Sequence, residues 1–311
     1  MIKNDYPRNM IGYGRRAPAI WWPEKARIAV QFVVNYEEGG ENCVLHGDEC
    51  SESFLSDIAA AVPIKGQRNM NMESMYEYGS RVGFWRLYNM LQNKNIPVTV
   101  FGVATALSRN PEAVEAMQEA NWEIACHGLK WIDYQNVPIE RERADMAKAV
   151  QLHSKITGSA PKGWYTGRVS PNTRSLVLEN GAFTYDSDSY NDDLPYWVGS
   201  TGESDAQRSH LIIPYSLDSN DMRFTTSPGF DHGETFYQYL RDTFDVLYAE
   251  GNSRPKMMSI GLHPRIIGRP GRLAGLVRFI DHIKSSEKVW ICRRDEIAEH
   301  WYREFKELSP G

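Results

Sequence analysis

The sequence predicts an α/β fold, a distorted (β/α) barrel of seven or eight mostly parallel strands. Short apolar segments rich in β-branched and aromatic residues alternate with helical segments almost throughout the chain. This alternation is typical of parallel strands joined by right-handed crossovers. Because seven or eight such units are present, a closed or distorted barrel is favoured over an open sheet. The 311 residues suffice for one large domain of this kind.

The first strand is predicted over 26–36, where a nearly continuous apolar run indicates burial on both faces. A helix follows over 81–95, with apolar residues at helical spacing, and Pro97 ends it. The remaining predicted elements are strands 97–104, 123–128, 163–166, 183–188, 212–217, 256–263 and 289–293, and helices 111–121, 141–158, 171–181, 273–283 and 297–305.

The chain contains no internal repeat and no low-complexity linker. Residues 1–25 are predicted to form an N-terminal arm, and residues 26–308 a single barrel domain. A long polar stretch, 38–80, separates the first strand from the first helix. We interpret it as an insertion whose loops serve the site or a subunit contact.

The composition excludes several classes of partner. The net charge is −5 and lysine and arginine do not cluster, so neither nucleic acid nor an anionic membrane surface is an expected partner. The first residues lack an apolar run of signal-peptide length, and no segment has the roughly 20 apolar residues of a membrane span. We therefore expect a cytoplasmic protein. The four cysteines are irregularly spaced and are interpreted as reduced thiols.

Polar residues lie where six predicted strands end. In a parallel barrel the carboxyl ends of the strands form the catalytic face. Any one of these residues alone is as well explained as a surface residue at the start of a loop, but six strands in agreement favour a shared site. These residues are Asn35, Glu37, Glu38, His127, Arg168, Asp186, Asp188, Asp218, Asp221 and His263.

The order of these residues resembles the polysaccharide deacetylase superfamily, also called carbohydrate esterase family four or the NodB homology family, over about residues 26–295. The family's first motif, Thr-Phe-Asp-Asp, is similar to the stretch from Asn35 to Glu38. Its second motif has two histidines four residues apart and is similar to HGLKW, in which His127 is kept and Trp131 takes the second place.

The later motifs are also present in order. The third, an arginine shortly before a proline, is similar to Arg168 and Pro171. The fourth, Asp-x-x-Asp-Trp, is similar to the segment with Asp218 and Asp221. The fifth, Leu-x-His, is best matched by the GLH that ends at His263, shifted by one residue.

The resemblance implies a divalent metal held by one aspartate and two histidines, at positions that correspond to Glu38, His127 and Trp131. An indole nitrogen is a donor only and cannot bind a cation, so this ligand set is incomplete. Glu38 and His127 remain as the candidate ligands, and we expect no metal and no other cofactor. A branch of the family, the metal-independent allantoinases, is similar in phrases such as NYEEGGE, GWYTGR and LDSNDMRF.

This branch implies hydrolysis of the cyclic amide bond of allantoin to allantoate in purine degradation. The resemblance gives Glu37 the role of general base and His263 that of general acid. It gives Arg168 the role of orienting Glu37, and Asp221 that of holding His263 in its working tautomer.

The same resemblance assigns substrate binding to a second group of residues. The resemblance also implies a homotetramer that acts on a small-molecule substrate. The residues expected to bind substrate are Asn35, Glu38, His127, Trp131 and Asp218.

Two alternatives remain open. One is a polysaccharide or peptidoglycan N-deacetylase with an altered metal site, for instance with Asp133 as a substitute ligand. The other is a barrel that has lost catalysis and only binds a small ligand. The joint presence of Glu37, Arg168, Asp221 and His263 argues against the second, because a binding module needs neither a base nor an acid.

Overall fold

The computed structural model of the protein describes residues 6–15, 17–199, 209–306 and 308. One mixed sheet runs through these ranges, with strand order β6-β7-β5-β4-β3-β2-β1-β8 and with β9 paired to β1. The strands are β1 Ile28–Tyr36, β2 Val98–Gly102, β3 Glu123–Cys126, β4 Gly163–Trp164, β5 Tyr185–Asp186, β6 Tyr196–Gly199, β7 Ser209–Ile212, β8 Lys256–Leu262 and β9 Val289–Ile291.

Strand β1 lies at the centre of the sheet and is buried along its whole length. Strand β8 pairs with Ile28–Val34 along one edge of β1. The opposite edge of β1 is shared by two strands: β9 pairs with Ile28–Val30 and β2 with Phe32–Tyr36. The nearly continuous apolar pattern of β1 follows from this position, because both of its faces and both of its edges are covered.

The sheet is mostly parallel, and among the strands described only the edge strand β6 runs antiparallel to its neighbour, β7. Single backbone hydrogen bonds connect the two ends of the sheet: Met257 donates to the carbonyl of Asp193 (3.1 Å) and Gly261 to that of Ser219 (3.2 Å). The predicted distorted barrel of mostly parallel strands is confirmed.

Ten helices surround the sheet within the described ranges. The long helix α7 and the short strand β6 are not among the predicted elements, although Phe236, Leu240 and Phe244 form a buried stripe with four-residue spacing on α7. The helices are α1 Met70–Tyr78, α2 Phe84–Asn93, α3 Ala104–Arg109, α4 Pro111–Glu119, α5 Ile139–Thr157, α6 Thr173–Asn180, α7 Gly233–Glu250, α8 Pro264–Ile267, α9 Pro270–Lys284 and α10 Arg294–Glu304.

Helices α1 and α2 are joined by a π-helical turn, Gly79–Gly83, so the helix predicted over 81–95 begins eleven residues earlier, at Met70. This turn lies directly against the loops that follow β1 and β8. A Cβ atom on Gly83 would lie 2.1 Å from the carbonyl oxygen of Pro264. A Cβ atom on Gly79 would lie 2.5 Å from Oε1 of Glu38. Only glycine permits this approach, which places the turn beside the candidate site.

The interior of the barrel holds a fully buried cation, Arg294, at the start of α10. Its guanidinium donates to Oε1 of Gln31 (3.0 Å), to Oγ of Ser259 (2.8 Å) and to the carbonyl of Pro214 (2.9 Å). Burial lowers the pKa of Arg294, and neutral oxygen acceptors compensate the lost hydration. Among the described helices, none is both long and apolar enough to cross a bilayer.

Candidate active site

Four polar side chains from the carboxyl ends of three strands converge at one rim of the barrel. Glu37 and Glu38 follow β1, His127 follows β3 and His263 follows β8. Each is at most 4% exposed. Burying a polar group costs free energy unless it is hydrogen-bonded or paired with an opposite charge. The four side chains meet this requirement by forming a connected network.

Glu37 is the centre of this network. Its Oε1 lies 3.3 Å from Nε2 of His127 and 3.4 Å from Nε2 of His263. Its Oε2 accepts a hydrogen bond of 2.6 Å from Nη2 of Arg265. One carboxylate oxygen therefore faces two imidazoles, and the other is held by a guanidinium.

His263 is held by Asp221, the first residue of a 3₁₀ turn whose cap is Asn220. Nδ1 of His263 bonds to Oδ1 of Asp221 at 2.6 Å, and the backbone N–H of His263 donates to Oδ2 at 2.7 Å. Because a carboxylate accepts, Nδ1 carries the proton, and Nε2 is directed at Glu37. The predicted contact between Asp221 and His263 is therefore present.

The charges of the cluster move two pKa values in opposite directions. Burial works to raise the pKa of Glu37, but the charges of Arg265 and His263 outweigh it and hold that pKa well below its usual range. Burial works to lower the pKa of His263, but the carboxylates of Glu37 and Asp221 raise it to about 9. At neutral pH the pair is thus an ionised carboxylate facing an imidazolium, which is the arrangement required of a base and an acid.

Glu38 is bonded to Arg265 and, among the described residues, to neither of the two imidazoles. Its Oε1 accepts from the backbone N–H of Arg265 (3.2 Å) and lies 3.4 Å from Nη1 of the same residue. Burial, reinforced by the neighbouring charge of Glu37, raises the pKa of Glu38 above its usual range, against the effect of Arg265. The pKa values of the two adjacent carboxyls therefore shift in opposite directions, and Glu37 is the one held in its ionised form.

His127 follows β3 and lies next to Glu37. Its Nδ1 lies 3.0 Å from the carbonyl oxygen of Tyr165, which can only accept, so Nδ1 carries a proton. Its Nε2 faces Oε1 of Glu37. His127 is thereby held between the carbonyl of Tyr165 and the carboxylate of Glu37.

The arginine that binds Glu37 is Arg265, and the predicted contact between Arg168 and Glu37 is not formed. Arg168 follows β4, which lies three strands from β1 in the sheet, whereas Arg265 follows the neighbouring strand β8. Among the described residues, Nη1 of Arg168 is buried without a hydrogen-bond partner. A buried unpaired donor favours binding of an acceptor, so the free N–H of Arg168 is a candidate donor to a bound ligand.

Trp131 forms one wall of the site and is 4% exposed. Its indole stacks on Phe54 with centroids 5.8 Å apart and an interplanar angle of 11°. The guanidinium carbons of Arg168 and Arg265 lie 5.1 and 5.4 Å from the indole centroid. Phe54 belongs to the predicted insertion 38–80, which thus contributes to the wall of the site.

Of the remaining predicted residues, Asn35 lies at the site and Asp218 does not. Asn35 is the last residue but one of β1, and its Nδ2 donates to the phenol of Tyr215 at 3.0 Å. Asp218 is exposed and accepts a hydrogen bond of 3.0 Å from the phenol of Tyr239 on α7. The 3₁₀ turn buries Asp221 and leaves Asp218 exposed, and the substrate contact expected of Asp218 stays a prediction.

The ligand set of a catalytic metal does not fit these residues. Trp131 has no lone pair to offer, and Glu38 is bonded to Arg265 rather than facing His127. Asp133, the substitute ligand of the deacetylase alternative, is exposed and accepts from the backbone N–H of Gln135 at 2.8 Å. In the described ranges, no three carboxylate, imidazole or thiolate residues are grouped as metal ligands.

A cavity of about 270 Å³ opens on the far side of Glu38. Its lining includes Glu38, Glu41 and Tyr76, whereas Glu37 and His263 are not part of the lining that the described residues form. Burial raises the pKa of Glu41 to about 7. The cavity therefore lies beside the pair of Glu37 and His263 and adjoins it through Glu38.

Three residues of the site were not among the predicted ones. Tyr165 and Tyr215 follow β4 and β7 and pack on Phe101, with centroids 4.6 and 5.5 Å from it. Arg265 carried a signal in the sequence, since it is a single charge in the apolar segment HPRII after the last long strand. It is buried, at 3% exposure, where an arginine needs carboxylate partners.

The fold and this rim define an α/β barrel with a buried carboxylate–imidazole pair at the carboxyl ends of its strands. A family model for polysaccharide deacetylase matches residues 68–182. A Schizosaccharomyces pombe protein named "putative polysaccharide deacetylase" is 46% identical over 293 residues, which are 90% of this chain and 92% of that protein. The chain belongs to the polysaccharide deacetylase family.

Two crystal structures are similar over nearly the whole chain. One is a "probable polysaccharide deacetylase" from Pseudomonas aeruginosa PAO1, 56% identical, with a TM-score of 0.94 over 97% of this chain and 100% of that one. The other is Puue allantoinase, 54% identical, with a TM-score of 0.95 over 98% of this chain and 100% of that one. The resemblance seen in the sequence motifs is thereby confirmed.

Proposed function

We propose that this protein hydrolyses the cyclic amide bond of allantoin to give allantoate. The observation that carries the proposal is the buried pair of Glu37 and His263, whose opposite charges suit a base and an acid at neutral pH. The similarity to an allantoinase at 54% identity over 98% of the chain supports the choice of substrate. Acid–base hydrolysis of this kind needs no redox step.

In this mechanism Glu37 accepts a proton from a water molecule whose oxygen attacks the ring carbonyl carbon. The tetrahedral intermediate then loses the ring C–N bond, and the departing nitrogen takes a proton from Nε2 of His263. The water thus supplies a hydroxyl to the carbon and a proton, by way of the two side chains, to the nitrogen. Asp221 holds His263 in the tautomer that this step requires, since it accepts from Nδ1.

The developing oxyanion requires donors inside the site. Arg168 is the best candidate for such a donor, because it has a buried N–H group without a partner among the described residues. The remaining polar groups at the rim, Asn35, His127 and Glu38, offer donors and acceptors that alternate, as those of a ureido and hydantoin substrate do. Trp131 closes one side as a flat wall.

Metal independence is part of the proposal, and the misfit of the ligand set supports it. Allantoin hydrolysis is expected to survive exhaustive dialysis against a chelator. Formation of allantoate by purified protein, measured before and after chelation, tests both statements together. Activity that is lost with chelator and restored by zinc would contradict metal independence, but it would still support allantoin as the substrate.

The alternative is N-deacetylation of a polysaccharide or peptidoglycan, favoured by the names of the relatives that are 56% and 46% identical. Release of acetate from chitooligosaccharides, with and without added zinc, separates it from the first proposal. We also propose a cytoplasmic homotetramer, on the strength of the sequence resemblance. Light scattering of the purified protein measures its assembly, and fractionation of cells measures its location.

A further inference from the structure

We propose that the guanidinium of Arg265 takes the place of the divalent cation that the family resemblance implies, so that arginine and metal exclude one another at this rim. The inference rests on the proposed function for its kinetic part, but its metal-binding part stands without it. Arg265 would act as a positioning residue. It supplies a fixed positive charge between the two carboxyls and holds Glu37 in the orientation of a base.

The first support is the position of the charge. Arg265 reaches both carboxyls, with Nη2 2.6 Å from Oε2 of Glu37 and Nη1 3.4 Å from Oε1 of Glu38. Its Nε donates to the carbonyl of Leu55 at 3.1 Å, which fixes the plane of the guanidinium. The side chain is 2% exposed, so its charge acts in a medium of low dielectric constant.

The second support is the chemistry of the walls. The guanidinium carbon lies 4.3 Å from the ring centroid of Tyr76 and 5.4 Å from that of Trp131. An aromatic face attracts an organic cation, but it offers no lone pair to a metal ion. The same replacement that removes an imidazole ligand, Trp131 at the second place of HGLKW, therefore adds a surface that suits Arg265.

The third support is mutual exclusion. A metal bound by a carboxylate lies about 2.0–2.2 Å from its oxygen. At Oε1 of Glu38 such an ion would share the oxygen with the N–H groups of Arg265 and would lie a few ångström from its positive charge. The two cations compete for the same carboxylate, and arginine is fixed there by covalent attachment.

The presence of Arg265 changes what is expected when an imidazole is placed at position 131. Trp131→His alone provides a side chain that can bind a metal, but Arg265 still occupies the carboxyls. We expect Trp131→His to bind no more zinc than the parent protein. The double variant Trp131→His/Arg265→Gln is expected to bind zinc at least about 10-fold more tightly than Trp131→His, because Glu38, His127 and the new imidazole are then free to act together.

Titration calorimetry with zinc chloride, and metal analysis after dialysis, measure this on each purified variant. Trp131→His/Arg265→Lys is the matched control, since it keeps the positive charge and is expected to stay free of zinc. Equal zinc affinity of Trp131→His and the Arg265→Gln double variant would overturn the proposal. So would tight binding by the Lys control.

Kinetics provide the second measurement. Arg265→Gln is expected to lower kcat for allantoin by about 10²-fold with a smaller change in KM, and Arg265→Lys to recover part of the loss. Equal activities of the Gln and Lys variants would overturn the role of the charge. Arg269→Gln is the control, because Arg269 stacks on Tyr78 at 3.6 Å and bonds to neither carboxyl. If the parent has no activity on allantoin, the proposed function fails and the zinc titrations still decide this inference.

Discussion

Asp221 binds His263 at two points, through the ring and through the backbone. Oδ1 of Asp221 lies 2.6 Å from Nδ1 of the imidazole, and Oδ2 accepts the backbone N–H of the same residue at 2.7 Å. Oδ2 also accepts the backbone N–H of Ile267 at 3.0 Å. One carboxylate therefore sets the position of the segment after β8 and the tautomer of its histidine.

Asp221→Asn is expected to lower kcat by roughly 10²-fold, since an amide can present only one acceptor oxygen to the two donors of His263. Steady-state kinetics with allantoin measure the effect. Asp245→Asn is a matched control, because Asp245 also bonds to a histidine, His282, at 2.8 Å but does so on the exposed face of α7. An Asp221→Asn enzyme with the parent's kcat would show that the tautomer is not limiting.

Glu37→Gln and His263→Ala are each expected to lower kcat by roughly the 10²- to 10⁴-fold that general acid–base catalysis supplies. Glutamine keeps the shape of the base and removes its charge, and alanine removes the acid. The folded state of each variant is checked by its thermal unfolding. Rates near that of the parent in a folded variant would refute the assigned role of the residue concerned.

The pH dependence of kcat/KM follows from the shifted pKa values. Activity needs ionised Glu37 and protonated His263, so the rate should be flat near neutral pH and fall as pH rises through about 9. Asp221→Asn should move this alkaline limb to lower pH, because the charge of Asp221 is one cause of the raised pKa. A limb that stays in place in the variant would contradict the assignment to His263.

The stability of the protein should depend on pH through the same two groups. His263 has a raised folded pKa, so its contribution is fully present below the unfolded value of 6.5 and is lost as pH rises through about 9. Glu37 has a lowered folded pKa, so its contribution is present above the unfolded value of 4.5 and is lost as pH falls through the folded value. Urea unfolding of the parent and of His263→Ala from pH 6 to 10 should show a smaller alkaline loss in the variant.

Gly83→Ala is expected to destabilise the protein by about 1–3 kcal/mol, the usual cost of overpacking, because the new methyl group would meet the carbonyl of Pro264. The displaced segment carries His263 and Arg265, so activity should fall as well. Urea unfolding measures the change in free energy. Gly271→Ala is the control, since its Cβ would meet no atom within 4 Å. Equal stabilities of the two variants would show that the π-helical turn can move away.

The sequence by itself determined the class of fold and the rim of the barrel at which Glu37 and His263 lie. Short apolar segments that alternate with helical segments predict strands joined by crossover helices. A strand as apolar as β1 is predicted to be buried on both faces. Parallel strands end at one rim, so Glu37, His127 and His263 were predicted to meet from their positions after strands. Local patterns suffice for such statements, because they depend only on periodicity and on where each strand ends.

Tertiary structure decided which arginine binds Glu37 and which of the two aspartates, Asp218 or Asp221, is buried. Alternation makes strands parallel but does not give their order in the sheet. Because β8 pairs with β1, Arg265 lies beside Glu37, whereas Arg168 follows β4, three strands away. The 3₁₀ turn after β7 likewise buries Asp221 and exposes Asp218. These contacts depend on distances between segments far apart in the chain, which only the folded arrangement fixes.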